Sequence, residues 1–206
     1  TACYKKPFAF KVSETYPLPP YSTVKGMLHS ILGAEEFIPM KISIQGDYES
    51  ILNNYQNIYF YKPKEITSMP LNIHLLYNVK LIIHVLAEES VLFALKSSFE
   101  AGCGFLSLGR WEDLVRVDEV KLVEAEEVDF EDDEVKEYKL KMPLYIPKKR
   151  IPCEIKGISY RLNWKYEINQ NVRQWEKIDV LYVESGETIN DGIVTIDSEH
   201  DVVFFN

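Results

Sequence analysis

Apolar residues recur at helical spacing shortly after the first cluster of prolines in this chain. Three prolines between residues 17 and 20 fix φ and keep the backbone extended up to that point. We expect Ser22 or Thr23 to cap a helix at the protein surface and Gly33 to end it. The apolar positions of this helix fall at i, i+3, i+4, i+7 and i+8 and form one face: Val24, Met27, Leu28, Ile31 and Leu32.

Most of the remaining chain has the alternating or β-branched pattern of strands. A second helix is predicted from Ser90 to Gly102, and residues 62–72, which contain two prolines, are predicted to be a loop or the tip of a long hairpin. Before residue 125, strands are predicted at 37–45, 57–61, 74–86 and 114–124, the last with a bulge near residues 118–119. From residue 138 onward the predicted strands are short: 139–145, 159–166, 179–183, 193–196 and 202–205.

This order of elements predicts an α+β protein whose first 125 residues have a ferredoxin-like or RRM-like fold. A hairpin inserted at about residues 41–75 interrupts that domain, and residues 126–206 are predicted to form a smaller β-rich lobe packed on it. Residues 124–137 are strongly acidic and are predicted to be a surface loop or edge.

Charge is distributed in blocks, which changes how the total should be read. The 206 residues carry a net charge of −9, which argues against a nucleic-acid ligand. However, residues 1–33 carry a net charge of +3 and residues 139–177 one of +7, between acidic segments. A polyanion responds to the local field, so two basic blocks favour nucleic-acid binding; ordinary patchiness of a solvated surface is the alternative.

Cysteines and apolar runs indicate the class of protein and its compartment. Cys3, Cys103 and Cys153 are widely spaced, without a CxxC pair, so reduced cysteines in a cytoplasmic protein are expected. No signal peptide and no membrane span is evident, since the most apolar stretch, residues 75–87, is too short. No cofactor motif is present, so no cofactor is expected.

Two cationic positions are candidates for phosphate contacts. Lys25 falls in the first turn of the predicted helix, where a positive charge opposes the helix dipole and where an anion would be stabilised. Lys5 and Lys6, beside Tyr4, form a second and weaker candidate. Each lysine has an alternative interpretation as a solvated surface residue. Tyr21, next to the helix start, is a candidate for stacking on a displaced base.

The glycine-punctuated connection at residues 102–110 is a further candidate site. Backbone at Gly109 and Ser107 can approach a phosphate closely, Arg110 can hold it with two hydrogen bonds, and Trp111 can stack on a base. The alternative is a structural turn in which Arg110 pairs with Glu112 or Asp113.

Catalytic patterns are weak. His29 lies one turn beyond Lys25 and could act as a general base, although a structural histidine is the alternative. No metal-ligand spacing and no nucleophile elbow is present.

Three segments carry a family resemblance that runs from residue 1 to about residue 125. They are Thr1-Ala2-Cys3-Tyr4-Lys5-Lys6-Pro7-Phe8, residues 14–27, and Leu106-Ser107-Leu108-Gly109-Arg110-Trp111-Glu112-Asp113-Leu114. With them the chain resembles the CRISPR-associated RAMP proteins, and more narrowly the fifth Cas subfamily of type I systems, nearest type I-B. Because the numbering starts inside the first motif, part of a first strand is expected to precede Thr1.

The resemblance implies a non-catalytic RNA-binding subunit of a Cascade surveillance complex in antiviral defence. Such subunits hold the 5′ handle of the CRISPR RNA. Their glycine loop lies against the RNA, and the inserted hairpin acts as a thumb. The implied partners are the CRISPR RNA, the backbone and large subunits and, indirectly, target DNA; no membrane is expected. One branch of the subfamily cleaves precursor RNA without metal, which makes an endoribonuclease the second hypothesis. A protein–protein adaptor is the third.

Overall fold

The structure is a computed structural model that describes residues 1–7, 11–130, 137–152 and 154–206. Phe8, Cys153 and residues 131–136 of the predicted acidic loop lie outside the described residues. The helices are α1 (Tyr21–Ile31), α2 (Glu89–Ala101) and a 3-10 turn (Lys148–Arg150). The strands are β1 (Val12–Ser13), β2 (Lys41–Asp47), β3 (Ser50–Tyr61), β4 (Ile66–Tyr77), β5 (Lys80–Leu86), β6 (Leu106–Ser107), β7 (Leu114–Val115), β8 (Ala125–Asp129), β9 (Tyr138–Lys139), β10 (Leu144–Pro147), β11 (Ile158–Asn169), β12 (Val172–Val183), β13 (Thr188–Ile189), β14 (Ile193–Asp197) and β15 (Val202–Val203).

Five strands form a central antiparallel sheet in the order β11-β12-β10-β2-β5. Successive side chains of a strand point to opposite faces, and β10 shows the consequence. Tyr145 belongs to the cluster that contains the apolar face of α1, whereas Leu144 and Ile146 belong to a second cluster built with the C-terminal strands. Because both faces are covered, every residue of β10 is buried.

Helix α1 packs against the sheet through the face that the apolar spacing predicts, with Val24 and Leu28 buried. The preceding proline segment is buried as well, since residues 15–20 are all inaccessible or nearly so. Tyr145 fixes it, because its hydroxyl donates to the carbonyl oxygen of Leu18 at 2.8 Å. The expectation of a helix start held at the protein surface is therefore wrong on this side of the helix, because the proline segment completes the core.

The inserted hairpin is shorter than predicted and starts later. It consists of β3 and β4, which pair from Ser50↔Tyr77 to Tyr61↔Ile66, whereas β2 belongs to the central sheet. Of the two interpretations of residues 62–72, the structure has the tip of a long hairpin: the chain turns at residues 62–65, and β4 then runs through Pro70. A proline is tolerated there because, within the described residues, β3 is the one strand beside Pro70, and β1 pairs with β4 at Asn72 and Ile73.

Two other predicted strands differ from the structure. The single strand at 74–86 is divided by a turn at Asn78, whose φ is 51°, and its second half is the edge strand β5. Of the strand at 114–124, only Leu114–Val115 is formed, so the bulge near residues 118–119 is absent. The side chains of Val117 and Leu122, which would have driven the pairing, are exposed.

The architecture is α+β, as the sequence pattern predicts, and strands predominate. The predicted boundary at residue 125 runs through the central sheet, because β10, β11 and β12 lie beyond it in the chain and supply three of the five strands. The remaining C-terminal strands cover the back of the sheet. The ferredoxin-like order of strands stays a prediction.

Candidate nucleic-acid interface

An open cleft of ≈ 450 Å³ lies between α1 and the glycine-punctuated connection. We call it the α1 cleft. It is lined by Ser22, Thr23, Gly26, Met27, Ser30, Phe105, Leu106, Ser107, Gly109 and Trp175. A second cleft of ≈ 380 Å³ shares Ser30, Phe105 and Leu106 with it and continues it towards the end of α2. The helix start and the glycine connection, predicted separately from sequence, therefore face each other across one groove, and no charged side chain of the described residues lines it.

The start of α1 leaves its hydroxyl groups available to the cleft. The residue before the helix is Pro20, in an extended conformation (φ −61°, ψ 150°), and no side chain caps the helix. The prediction that Ser22 or Thr23 is the cap is therefore wrong: the helix already begins at Tyr21, and both residues lie inside its first turn. Their side chains line the α1 cleft instead.

Lys25 does not reach the α1 cleft. The residue is 4% exposed, and its Nζ lies over the ring of Trp164 and 5.0 Å from the ring centre of Phe37. Nζ has no hydrogen-bond partner in the described part of the chain. Burial, together with the positive charge of Lys165, lowers the pKa of Lys25 to about 7. The prediction that Lys25 presents a cation at the helix tip is therefore wrong in this geometry.

Tyr21 is also unavailable to a ligand. Its ring is fully buried and packs edge-on against Trp164, at 6.2 Å between ring centroids. Burial raises the pKa of its hydroxyl. The prediction that Tyr21 stacks on a base is wrong, because the helix starts at this residue and turns it into the core.

The glycine connection is organised by the buried carboxylate of Asp113. Its Oδ2 accepts hydrogen bonds from the backbone N–H groups of Cys3 and Arg110, both at 3.0 Å. Gly109 packs against it with φ at 114°, and a Cβ there would lie 3.1 Å from the same oxygen. Glycine is required at this position both for its backbone conformation and for the close approach.

Arg110 is engaged by the same carboxylate. Its Nε donates to Oδ2 of Asp113 at 3.0 Å and its Nη2 to Oδ1 at 2.6 Å, while Nη1 lies 3.1 Å from Glu112. These hydrogen bonds raise the pKa of Arg110. The sequence left open whether Arg110 binds a phosphate or belongs to a structural turn, and in the structure it belongs to the turn. The predicted phosphate contact of Arg110 is not available while these pairs persist.

Other predicted residues of the connection are accessible. Ser107 and Gly109 line the α1 cleft. Trp111 is 87% exposed, and it lies outside the residues that line the cleft. Phe105, which the sequence does not single out, is 96% exposed and borders both clefts. The connection therefore presents two bare aromatic rings and a backbone open to close approach.

Lys5 and Lys6 lie in the N-terminal segment, away from the α1 cleft. Lys5 is exposed, and its backbone bridges to Thr15. Lys6 is paired with Glu14 at 3.2 Å, and its Nζ lies 5.7 Å from the ring centre of Tyr160. Neither lysine lines the α1 cleft, so the structure does not bring these cations together with the glycine connection.

His29, the candidate general base, has both ring nitrogens occupied. Nε2 accepts a hydrogen bond from the N–H of Ile38 at 2.9 Å, so Nδ1 carries the proton and donates to the carbonyl oxygen of Lys25 at 2.8 Å. The ring also stacks on Phe37. This is the structural alternative that the sequence left open. Within the described residues no group of His, Cys, Asp and Glu side chains could hold a metal ion.

Trp175 is the cleft residue that the sequence gives no reason to expect. It belongs to β12, far along the chain from α1, and reaches the cleft only because β11 and β12 form a long hairpin beside the helix. The two-residue turn of that hairpin, Gln170-Asn171, has positive φ at both residues, a conformation that asparagine favours.

Comparison with known proteins places the chain in a family. Residues 1–164 match the family profile described as CRISPR-associated protein (Cas_Cas5). A chain of a solved structure described as "CRISPR RNA-guided surveillance complex" has the same fold, with a TM-score of 0.54 at 13% identity, over 90% of this chain and 86% of that one. No curated protein matches the sequence. Among the described residues no helix is long and apolar enough to cross a bilayer. The family match covers most of the chain, and the protein therefore belongs to the CRISPR-associated protein (Cas_Cas5) family.

Proposed function

We propose that this protein is a non-catalytic RNA-binding subunit of a type I Cascade surveillance complex and that it holds the 5′ handle of the CRISPR RNA. The observation that carries the proposal is the α1 cleft, in which the helix start and the glycine connection meet. Family membership and the fold shared with a chain of a surveillance complex support it.

The cleft can bind an RNA backbone through hydrogen bonds and a matching shape, without ion pairs. Hydroxyl groups of Ser22, Thr23 and Ser30 line the helix side, and Ser107 lines the opposite side. Hydroxyls and backbone amides are common partners of phosphate and sugar oxygens. Gly26 adds no side chain, and a Cβ there would meet nothing within 4 Å, so a strand can lie close to the helix. No carboxylate among the lining side chains repels a phosphate.

The inserted hairpin of β3 and β4 is the proposed thumb. Along β3 and β4 the large residues Tyr55, Tyr61 and Ile66 are among the most exposed of the protein. An exposed apolar surface of this extent marks a contact region in an assembly. In the proposal it presses on the RNA and on the adjacent backbone-forming subunit, the large subunit docks nearby, and target DNA is met only through the assembled complex.

The placement of the catalytic candidates supports binding without cleavage. A metal-independent ribonuclease needs a base near the ribose 2′-hydroxyl. The ring nitrogens of His29 are both used within the fold, and Lys25 lies over Trp164, so neither is free to reach a strand in the cleft. Among the residues that the structure describes, no specific contact favours the endoribonuclease hypothesis over binding.

A binding assay with product analysis tests the proposal. The full chain is incubated with end-labelled repeat RNA in EDTA, and both retention and RNA length are measured. We expect the single-stranded handle to be bound and recovered intact, and duplex RNA of the same sequence to compete poorly. Absence of RNA binding, both alone and with partner subunits, would favour the adaptor hypothesis. Discrete cleavage products would establish an endoribonuclease.

A further inference from the structure

The hairpin of β11 and β12, which we call the second hairpin, carries an uncovered aromatic face on its outer part. Tyr166 pairs with Trp175 and Ile168 with Arg173, so the four side chains share one side of the β11–β12 ladder. The rings of Tyr166 and Trp175 lie 5.2 Å apart, and the Arg173 guanidinium lies 4.6 Å from the Tyr166 ring centre. Ile168 is 70% exposed and Trp175 is 38% exposed. None of the four residues belongs to a hydrophobic cluster of the core.

The charge of this face is positive because the acidic residues lie on the other side. Lys165, Glu167 and Glu176 alternate with the aromatic pair along the ladder and bond to one another, with Lys165 Nζ 3.2 Å from Glu176 and 3.7 Å from Glu167. Arg173 has no ion pair within the described residues. The aromatic face therefore offers two rings and one unneutralised guanidinium.

The same face joins the α1 cleft. Trp175 lines that cleft together with Ser22 and Thr23, so an RNA strand in the cleft would pass beside the indole ring, and the Tyr166 ring lies next to that ring. A partner that follows both surfaces must pass from hydroxyl groups to aromatic rings flanked by a cation. Single-stranded RNA has this alternation of polar backbone and flat bases, and stacking on exposed aromatic rings is a common way to bind it.

We propose that Trp175 and Tyr166 form a stacking site for unpaired RNA bases, with Arg173 contacting the adjoining phosphate. The site extends the α1 cleft onto the second hairpin. The proposal rests on the proposed RNA-binding function and adds to it the residues that hold the bases.

Binding of the full chain to two strands of equal length tests this site. One is single-stranded handle RNA and the other is the same sugar–phosphate strand without bases. We expect Trp175→Ala to weaken binding of the RNA roughly tenfold and to leave the abasic strand unchanged, since only bases can stack. Trp175→Phe should restore most of the affinity. Gln174→Ala, on the opposite face of the same strand, is the matched control and should change neither.

Three other outcomes overturn the inference, and each identifies a different error. If the unaltered protein binds RNA and Trp175→Ala binds it equally well, the stacking site is wrong while the proposed function stands. If Trp175→Ala keeps its RNA affinity but no longer assembles with partner subunits, the face is a protein-docking surface. If the unaltered protein binds no RNA, both proposals fail. Should Trp175→Ala fold poorly by circular dichroism, Arg173→Gln at an exposed position replaces it, with a loss of about threefold or more expected for RNA.

Discussion

The ammonium group of Lys25 lies over the indole ring of Trp164, and this contact joins α1 to the second hairpin. The contact directs the lysine side chain away from the α1 cleft. From its position in the first turn of the helix, the side chain would be expected to point into that cleft. The side chain is nearly inaccessible, and Nζ has no hydrogen-bond partner among the described residues. Lys25 therefore packs within the fold and does not line the α1 cleft.

Replacing Lys25 with methionine should stabilise the protein at neutral pH. The folded-state pKa of about 7 lies below the ordinary value of 10.5, so the folded protein binds fewer protons than the unfolded chain between these values. The destabilisation by the lysine is full below pH 7 and disappears as pH rises to 10.5. We expect Lys25→Met to raise the free energy of unfolding by about 1–3 kcal/mol at pH 7.

Urea denaturation of both proteins between pH 6 and pH 10 measures this difference, because the other titrating groups cancel. The advantage of Lys25→Met should shrink steadily as pH rises. RNA affinity should be the same in both proteins. A large loss of RNA binding in Lys25→Met would mean that the lysine leaves Trp164 to contact the ligand.

Asp113→Asn should loosen the glycine connection. The substitution weakens the acceptor that holds the N–H groups of Cys3 and Arg110 and leaves the Arg110 guanidinium without its main partner. We expect a loss of about 2 kcal/mol in the free energy of unfolding, because buried donors lose a charged acceptor. Glu112→Gln, at the exposed partner of Arg110, is the control and should cost less than about 0.5 kcal/mol. Equal effects of the two substitutions would show that Asp113 does not organise the connection.

The C-terminal strands should detach from the sheet in acid. Nε2 of His84 lies 2.9 Å from Oδ2 of Asp197, and both side chains are buried. Burial opposes ionisation of Asp197, but hydrogen bonds from the Asp201 backbone and from His84 lower its pKa below the ordinary 3.8. The stabilisation is therefore complete above pH 3.8 and is lost as pH falls through the lower folded-state value.

Asp197→Asn should cost about 2 kcal/mol at pH 7 and remove this part of the acid sensitivity. Hydrogen exchange of the β14 and β15 amides at pH 7 and in acid provides the measurement. Glu199→Gln, at a partly exposed ion pair in the same turn, should leave exchange unchanged. An acid response of these amides that is identical in Asp197→Asn would exclude Asp197 as its source.

Helix α1 was predictable because its signals are local. Apolar residues at helical spacing identify the buried face, and Gly33 adopts the left-handed conformation, with φ at 61°. Gly102 likewise follows the end of α2, with φ at 90°. The direction of the Lys25 side chain was not predictable, because Trp164 comes from a strand far along the chain.

The hairpins were less predictable from the sequence than α1. Residues 62–72 contain two prolines and no clear period, a pattern that leaves a loop and the tip of a long hairpin both open, and most of them pair with β3. Pairing with a partner strand can decide the structure of a segment whose local sequence pattern is weak. The α1 cleft was predictable in part: the sequence identifies its two walls, whereas Trp175 and the use of Arg110 by Asp113 depend on tertiary contacts.

Filling the α1 cleft from Gly26 tests the central claim most directly. In Gly26→Leu the new side chain meets no atom of the fold at its Cβ, and helix propensity improves, so the variant should fold at least as well as the parent. Ala94→Leu adds the same side chain at an exposed position of α2 that lines neither cleft and serves as the control. We predict that Gly26→Leu lowers the affinity for single-stranded handle RNA at least tenfold while Ala94→Leu leaves it unchanged. Equal affinity of the two variants would contradict the assignment of the cleft as the RNA site.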